Sequence, residues 1–420
     1  MKKYIPRIAD GILEKKLRTS GAVLIEGPKW CGKTRTAMER SRSKLFMNDP
    51  DEFARNMKAL ETKPSSLLVG DVPRLLDEWQ IAPLLWDAVR FEVDMRQEFG
   101  QFILTGSAVP PEGSTHHTGT GRISRMLMRP MSLFESGEST GAVSLARFFA
   151  DEAEQCAQTE LSIDDLAYLI VRGGWPASIG LNEADASDVA ADYVDAVTKQ
   201  DITRVDGVLR SPSKAQVLMR SLSRNVSTEC SIMTISKDMA GDDETTSLPT
   251  VSAYIDALRK IFVVEDLPAW NPSIRSKTPI RSTPKRFFVD PSIAAASLRL
   301  GSASLMGDFL YFGQLFESLC LRDVRVYADA IDADVFHYRD KTGLEVDFVV
   351  VGRDGSWGAF EVKMGEMRSD EAADNLLKLK GRVDASKTGE PSFLGILTAG
   401  NHAYKRDDGV HVVPIGCLGP

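Results

Sequence analysis

Residues 27–34 of this 420-residue chain, "GPKWCGKT", have the types and spacing that suit chemistry on a phosphate group. Their pattern is G-x-x-x-x-G-K-[ST], with glycines at positions 27 and 32 followed by Lys33 and Thr34. Glycines let backbone N–H groups turn toward phosphate oxygens, and a following helix adds the positive end of its dipole. We expect Lys33 to reach the β- and γ-phosphates of ATP, and Thr34 to bind Mg²⁺ through its hydroxyl group.

The flanks of this loop favour a bound nucleotide over the alternative, a glycine-rich turn without a ligand. The apolar stretch 22–25 predicts a strand before the loop, and the residues after position 32 predict a helix, as the motif requires. The predicted nucleotide-binding residues are the loop and the start of that helix: Gly27, Pro28, Lys29, Trp30, Cys31, Gly32, Lys33, Thr34 and Arg35.

A second group of polar residues follows two further apolar stretches. In "RLLDEWQ", a short strand ends in Asp77, which suits the water shell of Mg²⁺, and Glu78, which suits a general base. In "FILTGSA", Thr105 and Ser107 lie at the tip of a buried strand, where a hydroxyl group would sense the γ-phosphate or orient the attacking water. The alternatives are a solvated acidic pair and a hydroxyl group that caps a turn.

Three arginines follow in "GRISRMLMRPMSLFE", at positions 122, 125 and 129. An arginine here is a candidate finger that neutralises transition-state charge on a neighbouring subunit's nucleotide. We favour Arg122 as the catalytic arginine, although Arg125 is an equal candidate on spacing. A finger that acts on a neighbour implies a homo-oligomer. The alternative is three arginines on a solvated edge.

The C-terminal part of the chain carries a third group of polar residues on predicted strands. "LEVDFVVV" places Asp347 on one strand, and "WGAFEVK" places Glu361 and Lys363 on one face of the next. Two carboxylates beside an ammonium group suit Mg²⁺ or Mn²⁺, which would activate a water while the lysine steadies the developing charge. Glu317 would complete the metal shell from the preceding amphipathic helix. Glu345 is a further ligand or an ion-pair partner of Lys363.

This succession of helix, three strands, helix and strand resembles the core of PD-(D/E)XK nucleases. The resemblance implies a metal-dependent nuclease site with Asp347, Glu361 and Lys363 as catalytic residues and Glu317, Asp347 and Glu361 as metal ligands. The alternative is a structural cluster in which Lys363 pairs with an acid.

Composition limits the classes of protein that these sites can belong to. The chain is long enough for two to four domains. Its net charge of −8 and its pI of about 5.4 exclude a global basic field that would draw it to nucleic acid, so any DNA contact must come from a local patch. The five cysteines have no metal-ligand spacing, and no apolar run is long enough to span a membrane. We therefore expect a cytoplasmic protein without a membrane partner.

The middle of the chain predicts helices followed by a basic stretch. Residues 144–210 alternate helical patterns with acidic outer faces, which is typical of a helical lid. Residues 211–290 predict three short helices and a strand, as in a winged helix whose recognition-type helix is 251–260. In "IRSKTPIRSTPKR", the basic residues form a candidate phosphate footprint, or a loop that docks on the protein's own acids: Arg275, Lys277, Arg281, Lys285 and Arg286.

The order of the motifs, with "VRGGWPAS" after "GRISRMLMRPMSLFE", resembles a large group of prokaryotic AAA+-type ATPases. These proteins carry a C-terminal domain of unknown function with a restriction-endonuclease-like core. The resemblance implies an ASCE-type sheet in which the "FILTG" strand lies between the P-loop and Walker B strands. It also implies that Pro176, in the "GGxP" pattern, packs near the adenine.

The predicted fold class is a multi-domain α/β protein. Its parts are an AAA+ P-loop core (1–143), a helical lid (144–210), a winged-helix domain (211–290) and a restriction-endonuclease-like α/β domain (291–420). The first predicted function is an Mg²⁺-dependent ATPase that controls binding or cleavage of double-stranded DNA. The alternatives are a signalling switch with an inactive C-terminal domain that binds a partner protein, and an ATP-fuelled chaperone or assembly factor.

Overall fold

A computed structural model describes residues 3–108, 118–150, 152, 156–240, 246–272, 283–365 and 368–420. The chain divides into two compact units. Unit 1 comprises Met1–Pro130, Gln200–Arg210 and Asp256–Val263, and unit 2 comprises Met131–Lys199, Ser211–Ile255 and Val264–Pro420.

Both units contain α-helices. In chain order the helices are α1 (Ile8–Leu17), α2 (Lys33–Arg40), α3 (Phe53–Thr62), α4 (Leu84–Arg96), α5 (Leu133–Ser136), α6 (Leu145–Phe149), α7 (Ile163–Arg172), α8 (Glu183–Ala196), α9 (Ile202–Arg204), α10 (Pro212–Arg224), α11 (Ile232–Asp238), α12 (Leu248–Lys260), α13 (Pro291–Leu298), α14 (Ser302–Gly307), α15 (Phe309–Ala330), α16 (Ser369–Arg382) and α17 (Ala385–Thr388). In the part of the chain that the structure describes, none of them is long and apolar enough to cross a membrane.

The β-strands form two larger sheets and one short pair. In chain order the strands are β1 (Ala22–Glu26), β2 (Ser43–Phe46), β3 (Arg74–Asp77), β4 (Phe102–Gly106), β5 (Ile123–Leu127), β6 (Val143–Ser144), β7 (Ala157–Gln158), β8 (Asp334–Arg339), β9 (Glu345–Val351), β10 (Trp357–Lys363), β11 (Phe393–Thr398), β12 (His402–Lys405), β13 (His411–Pro414) and β14 (Leu418–Gly419).

Unit 1 contains a five-stranded parallel sheet in the order β2-β3-β4-β1-β5. Strands β1 and β4 are apolar up to their carboxyl ends and almost entirely buried, as a parallel sheet covered by helices requires. The expected position of the "FILTG" strand is confirmed, because β4 pairs with β1 on one side and with β3 on the other. The carboxyl ends of these three strands therefore meet at one edge of the sheet.

Unit 2 contains a seven-stranded mixed sheet in the order β7-β12-β13-β11-β10-β9-β8. Strands β8, β9 and β10 form an antiparallel meander, and α16 leads from β10 to β11, which lies parallel to it. The predicted succession of helix, three strands, helix and strand is thus present from α15 to β11, with the short helix α17 as an addition between α16 and β11. Strand β12, which the sequence pattern did not predict, pairs antiparallel with β13.

The region predicted as a winged helix contains α10, α11 and α12, as expected, followed by two short extended segments. Antiparallel bridges join Val264 to Phe288 and Leu267 to Lys285. Residues 264–267 and 285–288 therefore run side by side, and we call this pair of segments the hairpin. The basic residues Arg275, Lys277 and Arg281 lie outside the described residues.

Candidate nucleotide site and C-terminal cluster

The loop between β1 and α2 has the backbone that its glycines predict. Gly27 has φ of +149°, and a Cβ atom there would lie 2.2 Å from the carbonyl oxygen of Met128. Gly32 has φ of +105° and forms the N-cap of α2. Because both positions lie in the region that favours glycine, the loop keeps its path only with glycine at these two places.

Lys33 is buried, and its ammonium group turns back over the loop. Nζ donates to the carbonyl oxygens of Gly27 at 2.9 Å and Pro28 at 2.6 Å. Both acceptors are neutral, so these two hydrogen bonds hold the ammonium group without cancelling its positive charge. This charge beside the N-terminus of α2 fits a phosphate group.

Asp77 lies between two hydroxyl groups, one from each side of the predicted site. Thr34 Oγ1 donates to Asp77 Oδ1 at 2.8 Å, and Thr105 Oγ1 donates to the same oxygen at 2.5 Å. The three side chains come from α2, β3 and β4, which meet at the carboxyl edge of the sheet. The hydroxyl and carboxylate oxygens are hard donors, so Thr34 and Asp77 fit an Mg²⁺ ion with its water shell.

Glu78 directly follows Asp77 and has a left-handed backbone with φ of +55°. Its N–H group donates to Thr105 Oγ1 at 3.4 Å, and Gln80 Nε2 donates to its carboxylate. Burial raises the pKa of Glu78 above its ordinary value, and the charge of Asp77 raises it further, while Gln80, Lys33 and Lys29 oppose the shift. A carboxylate with a raised pKa is a stronger base, which suits the predicted role in proton abstraction.

Asp201 is a residue of this site that the sequence pattern did not reveal. Its carboxylate accepts a hydrogen bond from Lys29 Nζ at 2.6 Å, with side-chain exposures of 9% for Asp201 and 45% for Lys29. Asp201 and the P-loop both belong to unit 1 although 172 residues separate them. Two other side chains of the loop differ in exposure: Cys31 is buried, whereas Trp30 is 46% exposed.

The arginines near the loop have carboxylate partners in unit 1. Arg122 Nε lies 2.7 Å from Asp94 Oδ1 at an exposed position. Arg125 Nη1 lies 3.3 Å from Glu26 Oε2, at the end of β1. Arg35 pairs with Glu39 at 2.9 Å, one turn along α2. The assignment of the finger to Arg122 stays a prediction.

The "GGWP" stretch belongs to unit 2 and is held by residues 290–292. Gly174 N donates to Asp290 Oδ2 at 2.9 Å, and Trp175 Nε1 donates to Ser292 Oγ at 2.9 Å. Asp290 also pairs with the buried guanidinium of Arg322 at 3.1 Å. These contacts give the stretch a structural role, and the adenine contact of Pro176 stays a prediction.

The polar residues predicted for the C-terminal site do come together on neighbouring elements. Asp347, on β9, accepts a hydrogen bond from Val362 N at 2.9 Å through Oδ2, which brings it beside Glu361 on β10. Lys363 Nζ lies 2.8 Å from Glu361 Oε2. Glu317 approaches from α15. Glu345 instead pairs with Arg339 at 3.1 Å.

Lys285, from the predicted basic stretch, is a fifth member of this cluster. Its Nζ lies 3.1 Å from Glu317 Oε1 and 3.0 Å from Asp347 Oδ1, and Arg286 beside it pairs with Asp266 at 2.7 Å. Two residues of the predicted phosphate footprint thus dock on the protein's own acids, as the alternative interpretation predicted. Among the described residues, no group of three or more His, Cys, Asp or Glu side chains is arranged to hold a metal ion. Lys285 lies between two of the three predicted ligands, Glu317 and Asp347.

The charges of the cluster shift its pKa values in opposite directions. Burial raises the pKa of Glu361 to about 8, aided by the charge of Asp347, and burial raises that of Glu317 to about 7 against the effect of Lys285. Burial alone would also raise the pKa of Asp347, but the ammonium groups of Lys285 and Lys363 lower it. Asp347 is therefore the carboxylate that stays charged most readily.

His337 on β8 is a second residue that the sequence pattern did not reveal. It is fully buried, and neither ring nitrogen makes a hydrogen bond within the described residues. Glu229 Oε1 lies 3.9 Å from its Nδ1, beyond hydrogen-bond distance. Burial lowers the pKa of His337 to about 4, and the charges of Lys285 and Arg339 add to the shift. The imidazole is therefore neutral at pH 7.

Comparisons with known protein families divide the chain into three segments. Residues 19–136 match a family described as an AAA domain, and residues 163–304 and 312–418 match two domains of unknown function, DUF8612 and DUF4143. No curated protein matches the chain. The first segment contains the P-loop, Asp77 and Glu78, so the chain carries an AAA-like P-loop ATPase domain.

Two solved structures show weak likeness to the chain. One is the Walker-type ATPase PABY2304 of Pyrococcus abyssi, with 14% identity, a TM-score of 0.42 and coverage of 70% of this chain and 96% of that one. The other is the Hef helicase domain of Pyrococcus furiosus, with 11% identity, a TM-score of 0.21 and coverage of 96% and 90%. Neither likeness is strong enough to decide a function.

Proposed function

We propose that this P-loop ATPase hydrolyses ATP with Mg²⁺ and that Glu78 is the general base. The observation that carries the proposal is the hydrogen-bonded set Thr34–Asp77–Thr105 beside Glu78 and Lys33. This set supports the proposal because the hydroxyl group of Thr34, the carboxylate of Asp77 and the carboxylate of Glu78, whose pKa is raised, lie at one edge of the sheet.

The chain's own residues have separate tasks in this proposal. The loop from Gly27 to Thr34 holds the phosphates through its N–H groups and the Lys33 charge, and Thr34 and Asp77 hold the ion. Thr105 fixes Asp77 by its 2.5 Å hydrogen bond, and its Oγ1 also accepts from the N–H group of Glu78. Bound Mg²⁺ supplies charge neutralisation at the phosphates. Glu78 accepts the proton of the attacking water.

The experiment compares Lys33→Ala and Glu78→Gln with the wild type. Lys33→Ala should lose ATP binding in calorimetry because it removes the charge that offsets the phosphates. Glu78→Gln should bind ATP normally but turn over on the order of 10² to 10⁴ times more slowly, because an amide cannot accept the proton. The exposed Lys44→Ala on β2 is the control for loss of a positive charge. Turnover of Glu78→Gln near that of the wild type would refute the role of Glu78.

The proposal extends to the rest of the chain: the nucleotide state controls double-stranded DNA binding, or metal-dependent DNA cleavage, by the C-terminal domain. Its support is the order of elements from α15 to β11 and the meeting of Asp347, Glu361 and Lys363. The three helices and the hairpin support a winged-helix region. The test is cleavage of DNA with Mn²⁺, with and without ATP.

A second candidate function is a signalling switch whose C-terminal domain only binds a partner protein. The observation that favours it is the position of Lys285 between Glu317 and Asp347, because carboxylates paired with an ammonium group serve stability without a metal. Filter binding of double-stranded DNA at two salt concentrations separates the candidates, since phosphate contacts weaken steeply with salt. DNA binding that is absent at both concentrations favours the switch.

A further inference from the structure

Lys285 lies where the sequence predicts a divalent cation. Its side chain is 9% exposed, and its ammonium group is within hydrogen-bond distance of carboxylates from two elements, Glu317 on α15 and Asp347 on β9. The desolvation free energy of a buried ammonium group is offset only by opposite charges at such short distances. Lys285 therefore bridges two of the carboxylates that the sequence predicts as metal ligands.

The backbone holds Lys285 in this position. Lys285 and Leu267 exchange N–H···O bonds of 3.1 and 2.9 Å across the hairpin. The next residue, Arg286, donates its N–H group to Thr228 O at 2.8 Å and pairs with Asp266. Because the backbone on this side of the hairpin is anchored, Lys285 leaves the cluster only by a change of side-chain rotamer or by movement of the hairpin.

The acidic cluster offers oxygen atoms for a cation once Lys285 is absent. Asp347 Oδ2 is engaged by Val362 N, whereas Oδ1 contacts Lys285 and would become available. Lys363 contacts Glu361 and does not contact the oxygen of Glu317 that Lys285 binds. Carboxylate oxygens of this kind suit Mg²⁺ or Mn²⁺.

A nitrogen donor lies beside the same cluster. His337 lies between Phe336, which pairs with Val349, and Tyr338, which pairs with Val346, so it faces the irregular part of β9 that contains Asp347. The ring is fully buried and neither of its nitrogens is hydrogen-bonded within the described residues. A buried polar group without a hydrogen bond costs free energy, so its presence in a folded protein points to a ligand or a function.

We propose that Lys285 is an internal counterion that closes this cluster to divalent cations and must withdraw before one binds. The inference rests on the proposed metal-dependent role of the C-terminal domain. Its physical reason is charge: the three carboxylates already face the ammonium groups of Lys285 and Lys363, and a divalent ion beside Lys285 would be repelled at short distance.

The test is calorimetric titration of the full chain with MnCl₂. Lys285→Met keeps most of the apolar part of the side chain and removes its charge, so it should bind Mn²⁺ at least about tenfold more tightly than the wild type. Arg286→Met is the matched control. It removes a buried cation from the same hairpin, but this cation contacts Asp266 and not the cluster. Equal Mn²⁺ affinity in wild type and Lys285→Met would overturn the proposal.

Removal of a buried cation can also unfold the domain, so a second measurement is needed. Mn²⁺ should raise the melting temperature of Lys285→Met and not that of Arg286→Met, since a ligand stabilises only the state that it binds. The double variant Lys285→Met/Glu317→Gln restores the balance of charge and should fold without Mn²⁺. If no Lys285 variant folds, Mn²⁺ binding by the wild type is the deciding measurement. The proposal would be overturned if the wild type binds Mn²⁺ and Asp347→Asn does not. The proposal is supported if the wild type does not bind Mn²⁺.

The outcomes separate this inference from the proposed DNA cleavage. If Lys285→Met binds Mn²⁺ but cuts no DNA, the result supports the role of Lys285 as a counterion and refutes DNA cleavage by the C-terminal domain. If the wild type cuts DNA and binds Mn²⁺ as tightly as Lys285→Met does, the result supports DNA cleavage and refutes the counterion role of Lys285.

Discussion

At the scale of single residues, burial and hydrogen bonding give similar side chains different roles. Asp77 accepts two hydroxyl hydrogen bonds, whereas its neighbour Glu78 is half-buried beside that charge and has a raised pKa. In unit 2, Asp347 lies between ammonium groups and has a lowered pKa, whereas Glu361 has a pKa of about 8. Charged neighbours and burial therefore decide which carboxylate holds a cation and which holds a proton.

The neutral, buried His337 predicts a loss of stability in acid. Its pKa of about 4 in the folded state lies below the ordinary 6.5, so the unfolded state binds more protons between these values. The free energy of unfolding should therefore fall as the pH drops from 6.5 to 4, by up to roughly 3 kcal/mol from this residue. His337→Gln should show a smaller fall.

Thermal unfolding at several pH values measures this effect. The exposed His402→Gln, also in unit 2, is the control and should follow the wild type. If wild type and His337→Gln lose stability in parallel from pH 6.5 to 4, another group is responsible for the acid sensitivity.

At the scale of elements, the ends of strands place the nucleotide site. Strands β1, β3 and β4 are parallel and adjacent, so Gly27, Asp77 and Thr105 lie at one edge although long stretches of chain separate them. The left-handed backbone of the loop makes the close approach to Met128 possible. The loop geometry is therefore as necessary as the charged groups.

Gly27→Ala tests this necessity. A Cβ atom at φ of +149° would lie 2.2 Å from Met128 O, so the loop must shift, and we expect loss of ATP binding by calorimetry and a lower melting temperature. Gly121→Ala is the matched control: it has φ of +79° but no atom within 4 Å of the added Cβ. It carries a similar backbone cost of about 1–3 kcal/mol without the clash, and it should keep ATP binding. Unchanged ATP affinity in Gly27→Ala would contradict the assignment of this loop.

At the scale of the whole molecule, the exposure of Arg122 bears on whether one copy of the chain completes the site of another. Arg122 is 47% exposed and pairs with Asp94, an ion pair that contributes little to stability at a surface. Its exposure leaves it accessible to a second copy of the chain.

The net charge of −8 makes non-specific attraction to DNA weak, so a DNA contact needs a local patch.

Arg122→Ala should bind ATP and fold as the wild type does, yet hydrolyse ATP on the order of 10³ times more slowly if it acts on a neighbour. Wild-type turnover per chain should rise with protein concentration. Asp94→Ala breaks the same ion pair without removing the arginine and is the control. Activity per chain that is independent of concentration in a proven monomer would exclude this role, and Arg125→Ala would then be tested in the same way.

The sequence by itself determined the parts of the protein that depend on local order. The P-loop, the strand that ends in Asp77 and Glu78, and the succession from α15 to β11 follow from short motifs and from alternation along strands. These features need only neighbouring residues, and each lies where it was predicted.

Only the tertiary structure decided which distant groups meet. Asp201 reaches Lys29 across 172 residues, and Lys285 reaches Asp347 across 62. No period or motif encodes such pairs, because they result from the packing of separate elements and from the need to neutralise buried charge. For the same reason, the sequence left Lys285 as part of either a phosphate footprint or a loop that docks on the protein's own acids, and only the folded protein shows its ammonium group between Glu317 and Asp347.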